Sequence, residues 1–205
     1  MTRVAEVLER LTVSSATTLP APAKSRRPEL LAVGTVVWLA SELMFFSGLF
    51  AAYYSLRAQS AVWPPKNANL DVLSATIATA LLVGSSGTMQ LGVRAVLRND
   101  RVAYLRWLAV TFVLGAVFVA SQANDWSKLN FSISSNAYGS AFYLMTGFHG
   151  LHVIGGLLGM LIVGGRALSP GFGADDLPSV EMLSYYWHFV DAVWIALWLT
   201  IFFIR

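Results

Sequence analysis

The chain has 205 residues, of which 56% are hydrophobic and only 12% charged, more apolar than a soluble core of this length requires. It contains no cysteine, which excludes disulfides, thiolate metal sites and Cys-ligated copper or iron–sulfur centres and leaves three histidines as soft ligands. The net charge is only +3, and the basic residues lie in loops and at helix ends, so the pI near 9.4 reports membrane topology rather than a nucleic-acid partner.

Lipid cannot satisfy backbone N–H and C=O groups, and long apolar runs without strict alternation select helices over a closed barrel. The expected fold class is therefore an all-α integral membrane protein with five transmembrane helices. Residues 1–28 are polar, broken by Pro20, Pro22 and Pro28, and lack the continuous apolar stretch of a signal peptide; they read as a cytoplasmic tail. Within it Val4, Val7, Leu8 and Leu11 recur at helical spacing, which predicts a short surface helix over Arg3 to Val13. The membrane domain occupies 29–205.

The first span, about 30–56, closes on Tyr53, Tyr54 and Arg57, an aromatic and basic interface. Trp63-Pro64-Pro65 stiffens the following loop, because neither proline extends a helix. The second span, about 71–96, carries the small residues Ala80, Gly84, Gly87 or Thr88, and Gly92, which admit a neighbouring helix closely. Arg94, Arg98, Arg101 and Arg106 crowd the next turn, and a third span covers about 105–123. A polar loop rich in serine and asparagine follows Asn124-Asp125-Trp126. The fourth span, about 138–168, has a small-residue face at Gly155, Gly156 and Gly159, with Gly147 and Gly150 permitting close helix crossing, and the fifth covers about 180–204. Ten of the 14 Lys and Arg residues fall in the tail, second loop and fourth loop, so the N-terminus is expected in the cytoplasm and the C-terminus outside. No internal repeat at the level of motifs supports an inverted-repeat transporter.

The polar residues inside these spans are the candidate functional set. Glu42 stands near the middle of the first span, where an ionised carboxylate costs a few kcal/mol or more without a partner. His149 and His152 lie midway along the fourth span, and His188 and Asp191 near the middle of the fifth; spacing of three places each pair on one helix face. The five are expected to meet in one buried layer, with Glu42 bonded to His149 or His152, and His188 and Asp191 tying in the fifth helix. A structural role as a satisfied polar layer and a proton-active role for Glu42 are both open on the residues alone. No catalytic residue and no metal ligand is assigned, since the Glu-x-x-His pairs of di-iron bundles are missing. The aromatic residues Trp63, Tyr186, Trp187, Phe189 and Trp194 are candidates for lipid or subunit contact, with packing the default for the fifth-span stripe, which also includes Tyr185 and Trp198.

Several stretches carry a family likeness: Ser41-Glu42-Leu43-Met44-Phe45-Phe46-Ser47-Gly48, Trp63-Pro64-Pro65, Tyr138-Gly139-Ser140, Thr146-Gly147-Phe148-His149-Gly150-Leu151-His152-Val153 and Tyr186-Trp187-His188-Phe189-Val190-Asp191. In this order, over residues 41–191, they resemble subunit III of the haem–copper oxidases, and of cytochrome c oxidase in particular. Five spans rather than seven look like the shorter bacterial form, and Arg27-Pro28 followed by Val33-Gly34-Thr35 looks like its actinobacterial branch. One departure stands out: Gln122-Ala123-Asn124-Asp125-Trp126 replaces the family's Gln-x-x-Glu-Tyr with a shorter acid.

The resemblance implies an accessory subunit of an aa3-type oxidase in a bacterial cell membrane, with haem a and copper held by partner subunits and bound phospholipid as its own ligand. It implies oxidase subunits I and II as partners, support of proton uptake, and, for the actinobacterial branch, a supercomplex with a menaquinol–cytochrome c reductase. It also implies that Glu42 matches the family's carbodiimide-reactive acid. A quinol oxidase subunit and a nitric-oxide-reductase-associated homologue share the motifs; a membrane metalloenzyme and a small proton-coupled transporter are the readings from other classes.

Overall fold

The computed structural model describes residues 30–65, 68 and 70–204; the expected tail over 1–28 and its surface helix lie outside them. Among the described residues there are five α-helices and no strand: α1 (Leu30–Ala58), α2 (Val72–Leu97), α3 (Arg101–Ser127), α4 (Ala137–Leu168) and α5 (Leu177–Trp198). A 3-10 turn, Ala174–Asp176, leads into α5, and a π-helical turn, Leu199–Phe203, extends it. All five are long and apolar enough to cross a membrane, the last taken through Phe203.

The helix ends follow local chemistry. Asp71, Asp100 and Asn136 each accept a hydrogen bond from the backbone N–H three residues on, which satisfies one of the orphan donors at the starts of α2, α3 and α4. Between α2 and α3 the chain reverses through Arg98, Asn99 and Asp100. Asn99 takes the left-handed conformation (φ 56°), and the amides of Asn99 and Asp100 close on the carbonyls of Val96 and Ala95.

Two spans are longer than the hydropathy predicts. α3 runs from Arg101 rather than about 105, because Asp100 caps it, and continues through Gln122-Ala123-Asn124-Asp125-Trp126 to Ser127 rather than ending near 123. Asp125 is spent on the Ser74 hydroxyl of α2, at 3.0 and 3.1 Å, so its carboxylate does not compete with the helix backbone. α5 starts three residues before the expected 180, since Pro178 fits the first turn of a helix.

α2 and α3 form the most extensively packed pair, and α4 packs on α3; α1 packs on α4 and α5, and α5 touches α1, α2 and α4. Trp187 of α5 is fully buried at the centre of the bundle. A methyl group built on Gly115 of α3 or Gly156 of α4 would lie 2.7 Å from its indole, so the ring occupies space that only glycine leaves. Gly159 likewise faces Leu183, with a built methyl at 3.0 Å. The small-residue face of α4 is thus where α5 docks. The stripe on α2 divides instead: Gly92 faces Tyr104 and Trp107 of α3 and Thr88 bonds Thr111 at 2.7 Å, whereas Gly84 and Gly87 meet nothing within 4 Å.

Candidate functional site

The expected single layer of five polar residues is separated into two hydrogen-bonded sites and one isolated ring. At the first, Glu42 of α1 reaches His152 of α4, with 3.0 Å between Oε2 and Nε2. The other carboxylate oxygen accepts from the indole N–H of Trp38, one turn earlier, at 3.1 Å. His152 Nδ1 lies 2.7 Å from the carbonyl of Phe148. A carbonyl only accepts, so Nδ1 carries a proton. One further proton then lies between Nε2 and Glu42, as a carboxylic acid facing neutral imidazole or as a carboxylate facing imidazolium. The side chains of His152 and Glu42 are 17% and 23% exposed, so the pair sits at the edge of the bundle. Tyr186 of α5 braces it, donating its hydroxyl to the carbonyl of His152 at 2.8 Å and stacking on Trp38 at 5.0 Å.

The second site joins α2 and α5. Ser86 Oγ lies 2.8 Å from His188 Nδ1 and donates a short hydrogen bond to Asp191 Oδ2, so one hydroxyl ties the histidine and the buried acid to the same point of α2. Two indoles extend the seam: Trp187 donates to Ser85 at 2.8 Å and Trp194 to Thr79 at 2.9 Å. As α5 residue numbers rise from 187 through 191 to 194, their partners fall from 85 and 86 to 79, the register of two antiparallel helices.

His149 joins neither site. It is fully buried, stacked on Trp194 at 4.9 Å with the edge of Phe118 at 5.8 Å, and neither ring nitrogen has a hydrogen-bond partner among the described residues. Of the two histidines open to Glu42 on the sequence, His152 is therefore the one used.

The aromatic candidates also divide. Tyr186, Trp187 and Trp194 are 8%, 0% and 4% exposed, so their rings pack within this chain rather than against lipid or another subunit. Trp63 and Phe189 are half-buried. Trp63 wedges edge-on between Tyr53 and Tyr138, both at 5.1 Å, fixing the loop after α1 to the start of α4; Phe189 meets Phe46 of α1 at 6.4 Å. Composition alone does not single out the partners Thr79, Ser85, Ser86 and Tyr54, which bonds Thr200 at 3.1 Å. Their signal is a hydroxyl well inside an apolar span. Among the described residues no group of three or more His, Asp or Glu side chains is placed to hold a metal ion.

Five apolar helices tied together by hydrogen bonds at mid-span define a multi-pass membrane protein. The sequence profile of cytochrome c oxidase subunit III matches residues 13–205, and the chain belongs to that family. Its relatives include a probable cytochrome c oxidase subunit 3 of Nocardia farcinica, 48% identical over 183 residues, which cover 87% of this chain and 90% of that one. A Mycobacterium tuberculosis (strain H37Rv) protein of the same description is 49% identical with the same coverage. The cytochrome c oxidase subunit 3 of Thermostichus vulcanus is 39% identical over 171 residues, covering 83% and 85%. Membership of this family places the chain in an oxidoreductase complex, in association with other oxidase subunits.

Proposed function

We propose that the chain is the accessory subunit of an aa3-type cytochrome c oxidase of a bacterial cell membrane, bracing a catalytic subunit that carries haem a and copper while holding no redox centre itself. The observation that carries this reading beyond the family is the Glu42–His152 pair, where one proton is shared between carboxylate and imidazole at the rim of an apolar bundle. A group that holds a proton at low cost inside the membrane suits a subunit that supports proton uptake by its partner. Bound phospholipid fits the exposed apolar flanks around it, among them Met44, Phe45 and Leu151. The N-terminus faces the cytoplasm on the distribution of basic residues. A supercomplex with a menaquinol–cytochrome c reductase extends the same reading to the actinobacterial relatives.

The test is extraction in mild detergent through a C-terminal tag, followed by an optical spectrum of what co-purifies. An a-type haem signal with a larger subunit is the expected result, and an accompanying c-type signal identifies the supercomplex. A colourless chain without partners refutes the assignment.

A further inference from the structure

α1 and α2 flank α5 without forming an interface of their own, which leaves a groove floored by α5. Along that floor His188, Ala192 and Ala196 recur every four residues, the alanines exposed and the histidine half-buried. The α2 wall presents Val83, Gly87 and Gln90, all exposed, and a methyl group built on Gly87 would meet nothing within 4 Å. A row of small side chains lets a second helix approach at backbone distance. Other glycines are also open, Gly34, Gly48, Gly150 and Gly165 among them, so openness alone selects no face.

Unsatisfied polarity selects this one. His188 spends Nδ1 on Ser86, and neither its Nε2 nor the Gln90 amide has a hydrogen-bond partner among the described residues. Both lie deep in the membrane. His188 is close to the middle of α5 with its extension, and Gln90 is about 8 Å from the middle of α2 at 1.5 Å per residue, inside the half-thickness of about 15 Å of a bilayer core. Acyl chains offer neither donor nor acceptor. Other polar groups differ in this respect: both oxygens of Glu42 and both nitrogens of His152 are already bonded within the chain, and the unpartnered Oε1 of Gln122 on α3 is buried away from the surface, so neither reaches a partner.

We propose that the groove between α1 and α2 receives one transmembrane helix of the catalytic subunit, which packs on Gly87, Ala192 and Ala196 and sets a hydroxyl or carboxamide side chain against His188 Nε2 and Gln90. The inference rests on the assignment of the chain as an oxidase subunit and adds to it the face and chemistry of the contact. A lipid in the groove leaves two polar groups bare. A helix carrying serine, threonine, asparagine or glutamine satisfies them, because such side chains donate and accept.

The test places a photoreactive benzoylphenylalanine at Gly87 or Ala192 in the assembled oxidase, with controls at Val113 of α3 and Leu161 of α4, both more than half exposed on the other side of the bundle. Adducts with the haem-bearing subunit from the two groove positions and not from the controls are expected. Adducts from the controls instead, or adducts with lipid alone from the groove while the haem-bearing subunit co-purifies, overturn the proposal. In parallel, Gly87→Leu and Ala192→Leu are expected to leave the amount of chain in the membrane unchanged and to lower the co-purified haem at least tenfold; full haem retention by both variants overturns the proposal. Failure of the unaltered chain to capture any haem-bearing subunit overturns the parent assignment as well, which separates the two failures.

Discussion

Replacing Glu42 by alanine and by glutamine separates the loss of its hydrogen bonds from the loss of its ionisable group. In Glu42→Ala the Trp38 N–H and the His152 Nε2 both lose their partner. A polar group stranded by removal of its partner costs about 1–3 kcal/mol, while measured interhelical hydrogen bonds in membranes average nearer ~0.6 kcal/mol each. One interhelical bond to His152 and one within α1 to Trp38, at a site where Glu42 and His152 are still 17–23% exposed, put the expected loss at about 1–2 kcal/mol. Glutamine keeps both bonds, since its carbonyl oxygen accepts from Trp38 and its NH₂ donates to Nε2 of a neutral His152 whose Nδ1 remains protonated toward Phe148. Thermal unfolding of the assembled complex in detergent is therefore expected to fall for Glu42→Ala and to stay within about 0.5 kcal/mol of the parent for Glu42→Gln. Equal destabilisation by alanine and glutamine, or no effect of alanine, would show that the pair does not join α1 to α4 as described.

Gly156→Ala places a methyl 2.7 Å from the Trp187 indole, and overpacking a fully buried ring costs about 1–3 kcal/mol; Gly165→Ala, with nothing within 4 Å, is expected to be neutral or stabilising by up to about 1 kcal/mol. The comparison is read by thermal unfolding with tryptophan fluorescence. Ser86→Ala removes the hydroxyl shared by His188 and Asp191 and is expected to cost about 1–3 kcal/mol, with a double-mutant cycle against His188→Ala showing strong non-additivity. Asp125→Asn retains an acceptor for the Ser74 hydroxyl and is expected to change unfolding little, whereas Asp125→Leu frees α3 from α2 at that end and lowers it by about 1 kcal/mol.

The five spans and their polar residues were legible because hydropathy is a local property, and a charge inside an apolar run stands out whatever the fold. Pairing was less so. His149 and His152 differ by three positions, about 60° around a helix, and which of them meets Glu42 depends on how α4 is rotated. The rotation is set by Gly156 and Gly159, on which Trp187 and Leu183 seat. His149 precedes Gly156 by seven residues and so shares its face, which turns it into the bundle between Phe118 and Trp194 and leaves His152 to α1. The signal was present as a spacing, but it acquires meaning only once α5 is known to dock on that face. The hydroxyl partners on α2 are inconspicuous for a different reason: serine and threonine are common in membrane helices and most bond their own backbone, as Thr76 does. The loop motif Trp63-Pro64-Pro65 showed a stiff segment but not that its indole is held between two tyrosines from different helices.

In lipid the apolar faces of helices gain little by leaving their solvent, so hydrogen bonds and close packing decide which helices associate. That places the burden of assembly on α5 and its extension. It donates to α2 through Trp187 and Trp194, bonds α1 at Thr200, reaches α4 through the Tyr186 hydroxyl, and fills the centre with one indole. By contrast α2 and α3 need little help, being joined by a three-residue reversal and the Thr88–Thr111 bond. The same division explains the position of His188. A helix that spends its indoles and its acid inward on α2 leaves His188 at the boundary of that seam, half committed to Ser86 and half facing the groove. The polarity that binds the subunit together therefore ends at the surface where it has something left to offer a partner.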